Sequence, residues 1–241
     1  MHIINHAHRV KNAFISINRI RDRKSGFKVN DWIMDSGAFT TIEKHGHYPE
    51  TPDVYAAQIK RWSTNGNLLA AVAQDYMCEP WMLERTGMTI QEHQRLTIER
   101  YDALMACDTG GVTIIPVLQG YAPQTYVDHI RQYGDRLKPG MWVGVGSVCK
   151  RNGDPEAIEE VLLAIKAERS DLRLHLFGVK TTALRSKLIR DMAYTADSMA
   201  WSFAARREGR DANCWREALA FADVIENMTP KFFPRQIRFD F

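Results

Sequence analysis

The sequence predicts a single α/β domain in which parallel strands close into a (β/α)8 barrel. Three observations carry this expectation. Short apolar runs, rich in β-branched and aromatic residues and without strict alternation, recur along the chain, as expected of strands covered on both faces. Helical patterns separate the runs, and right-handed crossovers between them make the sheet parallel. No Gly-rich dinucleotide or P-loop fingerprint follows any run, which favours a closed barrel over an open doubly wound sheet.

Taken in order, the predicted strands are 13–17 (AFISI), 32–35 (WIMD), 68–75 (LLAAVAQD), 112–120 (VTIIPVLQG), 141–147 (MWVGVGS), 172–179 (LRLHLFGV) and 198–202 (SMAWS), with the opening MHII as the eighth. The helices announce themselves by their ends and faces. Thr89 and Glu92 form a capping-box pattern. Tyr126, Ile130 and Tyr133 share one face, and Gly134 stands where a C-cap belongs. Asp154 is an N-cap ahead of Pro155, after which Ile158, Val161, Leu162 and Ile165 recur at helical spacing. Ala218, Phe221, Ala222 and Ile225 mark the last helix. No repeat or Pro/Gly/Ser linker divides the chain, so residues 1–241 are expected to form one domain.

Composition narrows the class further. A chain of 241 residues, 45% hydrophobic and 25% charged, can bury roughly 70–75% of its unfolded surface without a disulfide or metal staple. Charges interrupt every apolar run before it reaches the length of a membrane helix, and MHIINHAHRVKNAF lacks the apolar stretch of a secretory leader. A cytoplasmic protein is expected. Cys78, Cys107, Cys149 and Cys214 lie far apart and form no CxxC pair, which points to reduced thiols. Net charge is only +3, but residues 9–28 carry Arg9, Lys11, Arg19, Arg21, Arg23, Lys24 and Lys28 against Asp22 alone.

In either architecture the active site lies at the C-terminal ends of the strands. Asp35, Asp75, Gln119 and the glycines Gly144 and Gly146 stand at those ends, and Asp197 lies at or just before the start of the 198–202 run. One such acid is ordinarily a helix cap or turn residue. Three acids and an amide converging on one barrel mouth point instead to chemistry. Basic residues follow the same strands: Lys150 and Arg151, Lys180 and Arg185, then Arg206, Arg207 and Arg210. They could line a phosphate-gripping face or be scattered surface charge. Tyr76, Trp81 and Tyr121 could stack on a base or belong to the core.

These residues carry a resemblance. DSGAF (35–39) resembles the DSGGF motif of the queuine-type tRNA-guanine transglycosylases, PVLQG their VQG segment, VGVGS their glycine-rich GG(L/V)SVG strand, and LHLFGVKT their LMGVGTP segment. The order agrees from residue 32 to about 210. With SVCKR and ADSMAWS, the chain looks most similar to the DNA-directed branch of that superfamily, the DpdA-like proteins that insert 7-deazaguanine bases into phage and bacterial DNA. The resemblance implies a TIM barrel and base exchange at C1′ of a nucleotide, with no cofactor. It implies Asp35 as acid/base, with Ser36 and Gly37 shaping its turn, Asp75 and Gln119 as readers of the purine edge, and Gly144 and Gly146 where the strand backbone approaches the heterocycle. Lys150, Arg151, Arg206, Arg207 and Arg210 would hold the nucleic-acid backbone.

The chain departs from the pattern at the nucleophile. Where the tRNA enzymes read VDMFDCVMPTR, with the second aspartate as nucleophile, this chain reads ADSMAWSFAAR; Ala200 stands near that position and Asp197 is the remaining acid. Asp197 is therefore assigned as nucleophile. The CxCxxC…H zinc site of the tRNA enzymes is missing, so no metal is expected. The implied partners are DNA and a 7-deazaguanine base, with a duplex-opening accessory protein as a further partner and tRNA as the alternative substrate. Two other classes remain open: a catalytically inactive nucleic-acid-binding barrel, and a metal-dependent barrel hydrolase using the HxH of His6 and His8.

Overall fold

A computed structural model describes residues 3–228. Eight strands form two parallel four-stranded sheets. The first orders β1 (Asn12–Ser16), β2 (Asp31–Asp35), β3 (Asn67–Val72) and β4 (Thr113–Ile115); the second orders β5 (Val117–Leu118), β6 (Trp142–Val145), β7 (Arg173–Leu176) and β8 (Ala193–Ala196). Only Pro116 separates β4 from β5. Proline has no N–H to give a ladder, so the apolar run predicted as one strand over 112–120 divides there. Its carbonyl still accepts the Gly144 N–H at 2.8 Å, while the Ala73 N–H reaches the Ile115 carbonyl at 2.9 Å. The stretch 113–118 thus touches β3 on one side and β6 on the other. The ladders are continuous from β1 to β4 and from β5 to β8, and among the described residues no ladder joins β8 to β1.

Side-chain period two decides what each strand offers to which face. Ile33, Ala70, Val72, Ile115, Val117 and Trp142 form one apolar cluster with Phe14, Phe177 and Tyr194, drawn from the strands of both sheets and, with Phe177, from just beyond β7. One step further toward the C-terminal ends on the same face come Ser16 after Phe14, Asp35 after Ile33, Gln119 after Val117, and Gly144 then Gly146 after Trp142. The opposite faces carry Met34, Ala71, Ile114, Val143, Val145, Leu174 and Leu176 into a second, larger cluster with helix residues such as Tyr126, Ile130, Ile158 and Ile165.

The predicted helix ends hold. Thr89 Oγ1 accepts the Glu92 N–H, and the Glu92 carboxylate takes the Thr89 N–H at 2.7 Å, opening helix Ile90–Met105. Asp154 accepts the Ala157 N–H and Pro155 begins helix Pro155–Glu168. Helix Pro123–Tyr133 ends at Gly134, whose N–H reaches the Ile130 carbonyl. Helix Trp215–Met228 closes the described chain and lays Ile225 against the core.

Two predicted strands are corrected. The run 198–202 is not a strand: β8 lies just before it at Ala193–Ala196, and Ala200–Arg207 is a helix whose first free N–H, from Ala200, is taken by the Ser198 hydroxyl. Aromatic Tyr194 and β-branched Thr195 suit a strand, whereas Ala200, Ala204 and Ala205 suit a helix. The opening is also not a strand where it is described: Ile3–Arg9 forms a 3-10 helix, while Met1 and His2 lie outside the described residues. Among the described residues no helix is long and apolar enough to cross a membrane.

Candidate active site

Asp35 ends β2 and Asp197 directly follows β8. Asp197 therefore sits at a C-terminal strand end, a placement that the misread 198–202 strand had obscured. The Asp197 N–H bonds the Leu176 carbonyl at 3.3 Å, and its Oδ1 accepts the Gly178 N–H at 3.0 Å. Asp35 carries hydrogen bonds from the Ser16 hydroxyl and the Gly37 N–H, which favour its charged form. Burial outweighs them and, with the negative charge of Asp197 nearby, pushes the Asp35 carboxyl up to about 6. Gly37 begins the turn into helix Ala38–His45 at φ 72°, a left-handed conformation that glycine adopts without strain, and a Cβ there would run into the Asn18 amide.

The second half of the site comes from a segment with no regular structure. Residues 73–79 are all buried, so their backbone groups need partners. Side chains supply them. The Tyr48 hydroxyl accepts the Asp75 N–H at 3.1 Å and donates to the Asp75 carbonyl at 3.0 Å. Thr97 Oγ1 takes the Tyr76 N–H at 2.9 Å, Ser147 Oγ takes the Cys78 N–H at 2.9 Å, and His93 Nδ1 meets the Met77 carbonyl at 2.6 Å. Asp75 is thereby held still, and burial pushes its carboxyl up to about 7, partly offset by the Gln119 amide.

Gln119 is fixed just as firmly. Its N–H donates to His129 Nδ1 at 2.8 Å and its carbonyl accepts Gln94 Nε2 at 2.8 Å. Burial lowers His129 to about 3, so the ring is neutral at physiological pH and can accept there. The Gln119 side chain then donates Nε2–H to Asp75 Oδ2 and accepts the Ser147 hydroxyl on Oε1 at 2.8 Å. Ser147 also lies 2.9 Å from Glu79 Oε2, so its single proton serves one of two acceptors at a time. Ser147 is the one non-glycine residue with positive φ among those described, at 56°, a strained conformation of the sort that gathers at functional sites.

The structure gives the two glycines a packing reason. A Cβ on Gly146 would collide with the Gln119 amide, and one on Gly144 would meet the Phe177 ring at 2.5 Å. Their missing side chains make room for Gln119 and Phe177, a packing reason that needs no ligand. Sequence reasoning passed over three polar residues here: Glu79, Ser147 and His175. Glu79 is 2% exposed and lies in the same segment as Asp75, but its position before Pro80 reads as an ordinary helix start. His175 is the one polar side chain in the apolar stretch LHLF of β7, and its period-two register with Phe177 was the available signal.

The remaining predicted residues divide. Ser36 is buried and lines a cleft of about 290 Å³ with Asn18, Thr40, Tyr48, Glu50 and Gln74. Tyr76 is a core residue, edge-on to Tyr48 and His93. Tyr121, by contrast, is 41% exposed, with the Arg151 guanidinium 4.2 Å over its ring. Lys150 stands over Phe39 and Trp81, and Lys180 over Phe203. Phe39, Tyr121, Met199 and Phe203 are exposed large apolar side chains on segments that leave the strands' C-terminal ends. Arg206 and Arg207 are exposed, whereas Arg210 pairs with Glu208 and Glu217 and has its charge already matched. His6 and His8 lie in the 3-10 helix ahead of β1, at the far end of the strands from Asp35 and Asp197. Among the described residues no group of His, Cys, Asp or Glu side chains could hold a metal ion.

Comparison with curated proteins finds no match. The ordered motifs, the two interacting aspartates and the Asp75–Gln119 pair all fall inside the span matched by one family model: the chain belongs to the DpdA family, DeoxyPurine in DNA protein A, over residues 9–223.

Proposed function

We propose that the protein exchanges guanine in DNA for a 7-deazaguanine base through a covalent intermediate on Asp197. Membership of the DpdA family supports a DNA-modifying activity of transglycosylase type. The observation that carries the finer reading is the electrostatic interaction of Asp35 with Asp197. These two carboxyls come from the ends of strands in different sheets, close enough for one charge to raise the pKa of the other. Such a pair divides into an acid/base and a nucleophile. Two sheets that share one interior cluster and are divided by Pro116 alone fit the two halves of a TIM barrel with its mouth at these carboxylates.

The reaction then runs in two displacements. Asp197 attacks C1′ as the C1′–N9 bond breaks, and the electron pair leaves with the guanine, which takes the proton from Asp35. The incoming deazaguanine gives its N9 proton to the Asp35 carboxylate and attacks C1′, releasing Asp197. A carboxyl at about 6 suits both roles near neutral pH. Asp75 and Gln119, fixed to each other, present one carboxylate and one amide to the purine edge.

A nucleotide reaching this site must leave its stack, at a cost of a few kcal/mol. Exposed Phe39, Tyr121 and Phe203, each under a cation, offer stacking surfaces and positive charge on the same end of the strands. Nucleoside mass spectrometry of DNA from cells carrying or lacking the gene tests the reading. Deazaguanine nucleosides should appear only with the gene; unmodified DNA in both, or modification confined to tRNA, contradicts it.

A further inference from the structure

We propose that His175 positions Asp197 for attack, holding one carboxylate oxygen so that the other faces the sugar. The inference rests on the reading of Asp197 as nucleophile. His175 is 1% exposed on β7, stacked on Phe14 with ring centroids 5.1 Å apart and met edge-on by Phe177 at 4.8 Å, so the ring cannot swing. Its Nε2 is buried, forms no hydrogen bond, and lies 3.4 Å from Asp197 Oδ1. An unpartnered buried ring nitrogen beside a carboxylate oxygen is costly unless the contact closes in use, and hydrogen bonds at active sites are often long until substrate binds.

A relay behind the ring can put the ring hydrogen on the nitrogen that faces Asp197. The Trp142 indole can only donate, and it gives its N–H to Thr195 Oγ1 at 3.1 Å. The Thr195 hydroxyl lies 2.8 Å from His175 Nδ1 and, with the indole N–H on one of its lone pairs, has its own hydrogen free to give to Nδ1; in that arrangement the ring hydrogen stands on Nε2, facing Asp197. Asp197 Oδ1 already accepts the Gly178 N–H at 3.0 Å. With His175 as second donor, both holds fall on Oδ1 and Oδ2 is left as the attacking oxygen.

The test measures steady-state base exchange on DNA for Asp197→Asn, His175→Leu, His175→Gln and Thr195→Val. A glutamine can place an amide N–H near the position of Nε2, whereas leucine cannot donate. Asp197→Asn should be inactive. His175→Leu should lose kcat by 10- to 100-fold with KM for DNA unchanged, His175→Gln should recover most of that loss, and Thr195→Val should fall between them. Thr195→Val, being isosteric, keeps the proposal testable if leucine at 175 does not fold. If Asp197→Asn is inactive while Thr195→Val and a folded His175→Leu turn over within twofold of the native protein, the positioning role is overturned and the nucleophile stands. The same holds if glutamine is no better than leucine. If Asp197→Asn exchanges normally, the nucleophile assignment falls and the positioning role falls with it.

Discussion

Asp75 holds its buried place at the expense of stability. Its carboxyl is raised to about 7 and that of Asp35 to about 6, against an ordinary 3.8, and in both cases burial is the main cause. A carboxyl whose pKa is raised on folding keeps its proton while the unfolded chain loses one. Stability therefore falls as pH rises from about 4 to about 7, and the penalty is fully present above that window. Asp75→Asn keeps an acceptor for Gln119 and removes the buried charge. It should raise the melting temperature at pH 8 by on the order of 5 °C, with little change at pH 4, while abolishing exchange. Scanning calorimetry at the two pH values checks this. An equal shift at both would mean that the ionised carboxylate is not the cost. Asp35 and Asp75 were legible in the sequence because an acid after an apolar run is visible there. Ser147 and Glu79 were not, since the φ of 56° and the bond between them exist only after β6 and the 73–79 segment meet.

At the scale of elements, strands carry the apolar face, and their C-terminal ends and the segments after them carry the candidate site residues. Six of the seven predicted internal runs overlap strands, because continuous β-branched and aromatic stretches are a direct consequence of burial on both faces. The seventh failed at 198–202 since Met199, Trp201 and Phe203 alternate as a strand would, while Ala200, Ala204 and Ala205 favour the helix that forms. The split at Pro116 was written in the sequence but hidden within one apolar run. The Gly146–Gln119 fit links β6 to β5 and yields a second prediction. Gly146→Ala drives a Cβ into the Gln119 amide and displaces it from Asp75 and Ser147. It should cost about 1–3 kcal/mol in urea unfolding and most of the activity. Gly153→Ala, where nothing lies within 4 Å, should change stability by less than about 1 kcal/mol and leave activity intact. Equal effects of the two would show that the Gln119 packing is unimportant.

For the whole molecule, both sheets send their C-terminal ends to one side, and the acids, the exposed aromatics and the cations gather there. Net charge of +3 gives little general attraction for DNA, so binding must come from local charge. Charge reversal at the exposed Arg206 and Arg207 should weaken duplex binding and flatten its salt dependence by about 0.9 in log–log slope for each phosphate that is no longer neutralised. Reversal of Arg210, already paired with Glu208 and Glu217, should act mainly through the fold. Fluorescence anisotropy across a salt series measures both, and equal slopes for native and reversed proteins would make Arg206 and Arg207 ordinary surface. These parts converge on the proposed base exchange. The exchange is measured most directly as transfer of labelled 7-deazaguanine into purified duplex DNA, run beside unmodified tRNA, with the native protein, Asp35→Asn and Asp197→Asn. Label should enter DNA with the native protein, and both variants should lose several orders of magnitude in rate. Label entering tRNA alone, or transfer by Asp197→Asn at the native rate, would contradict it.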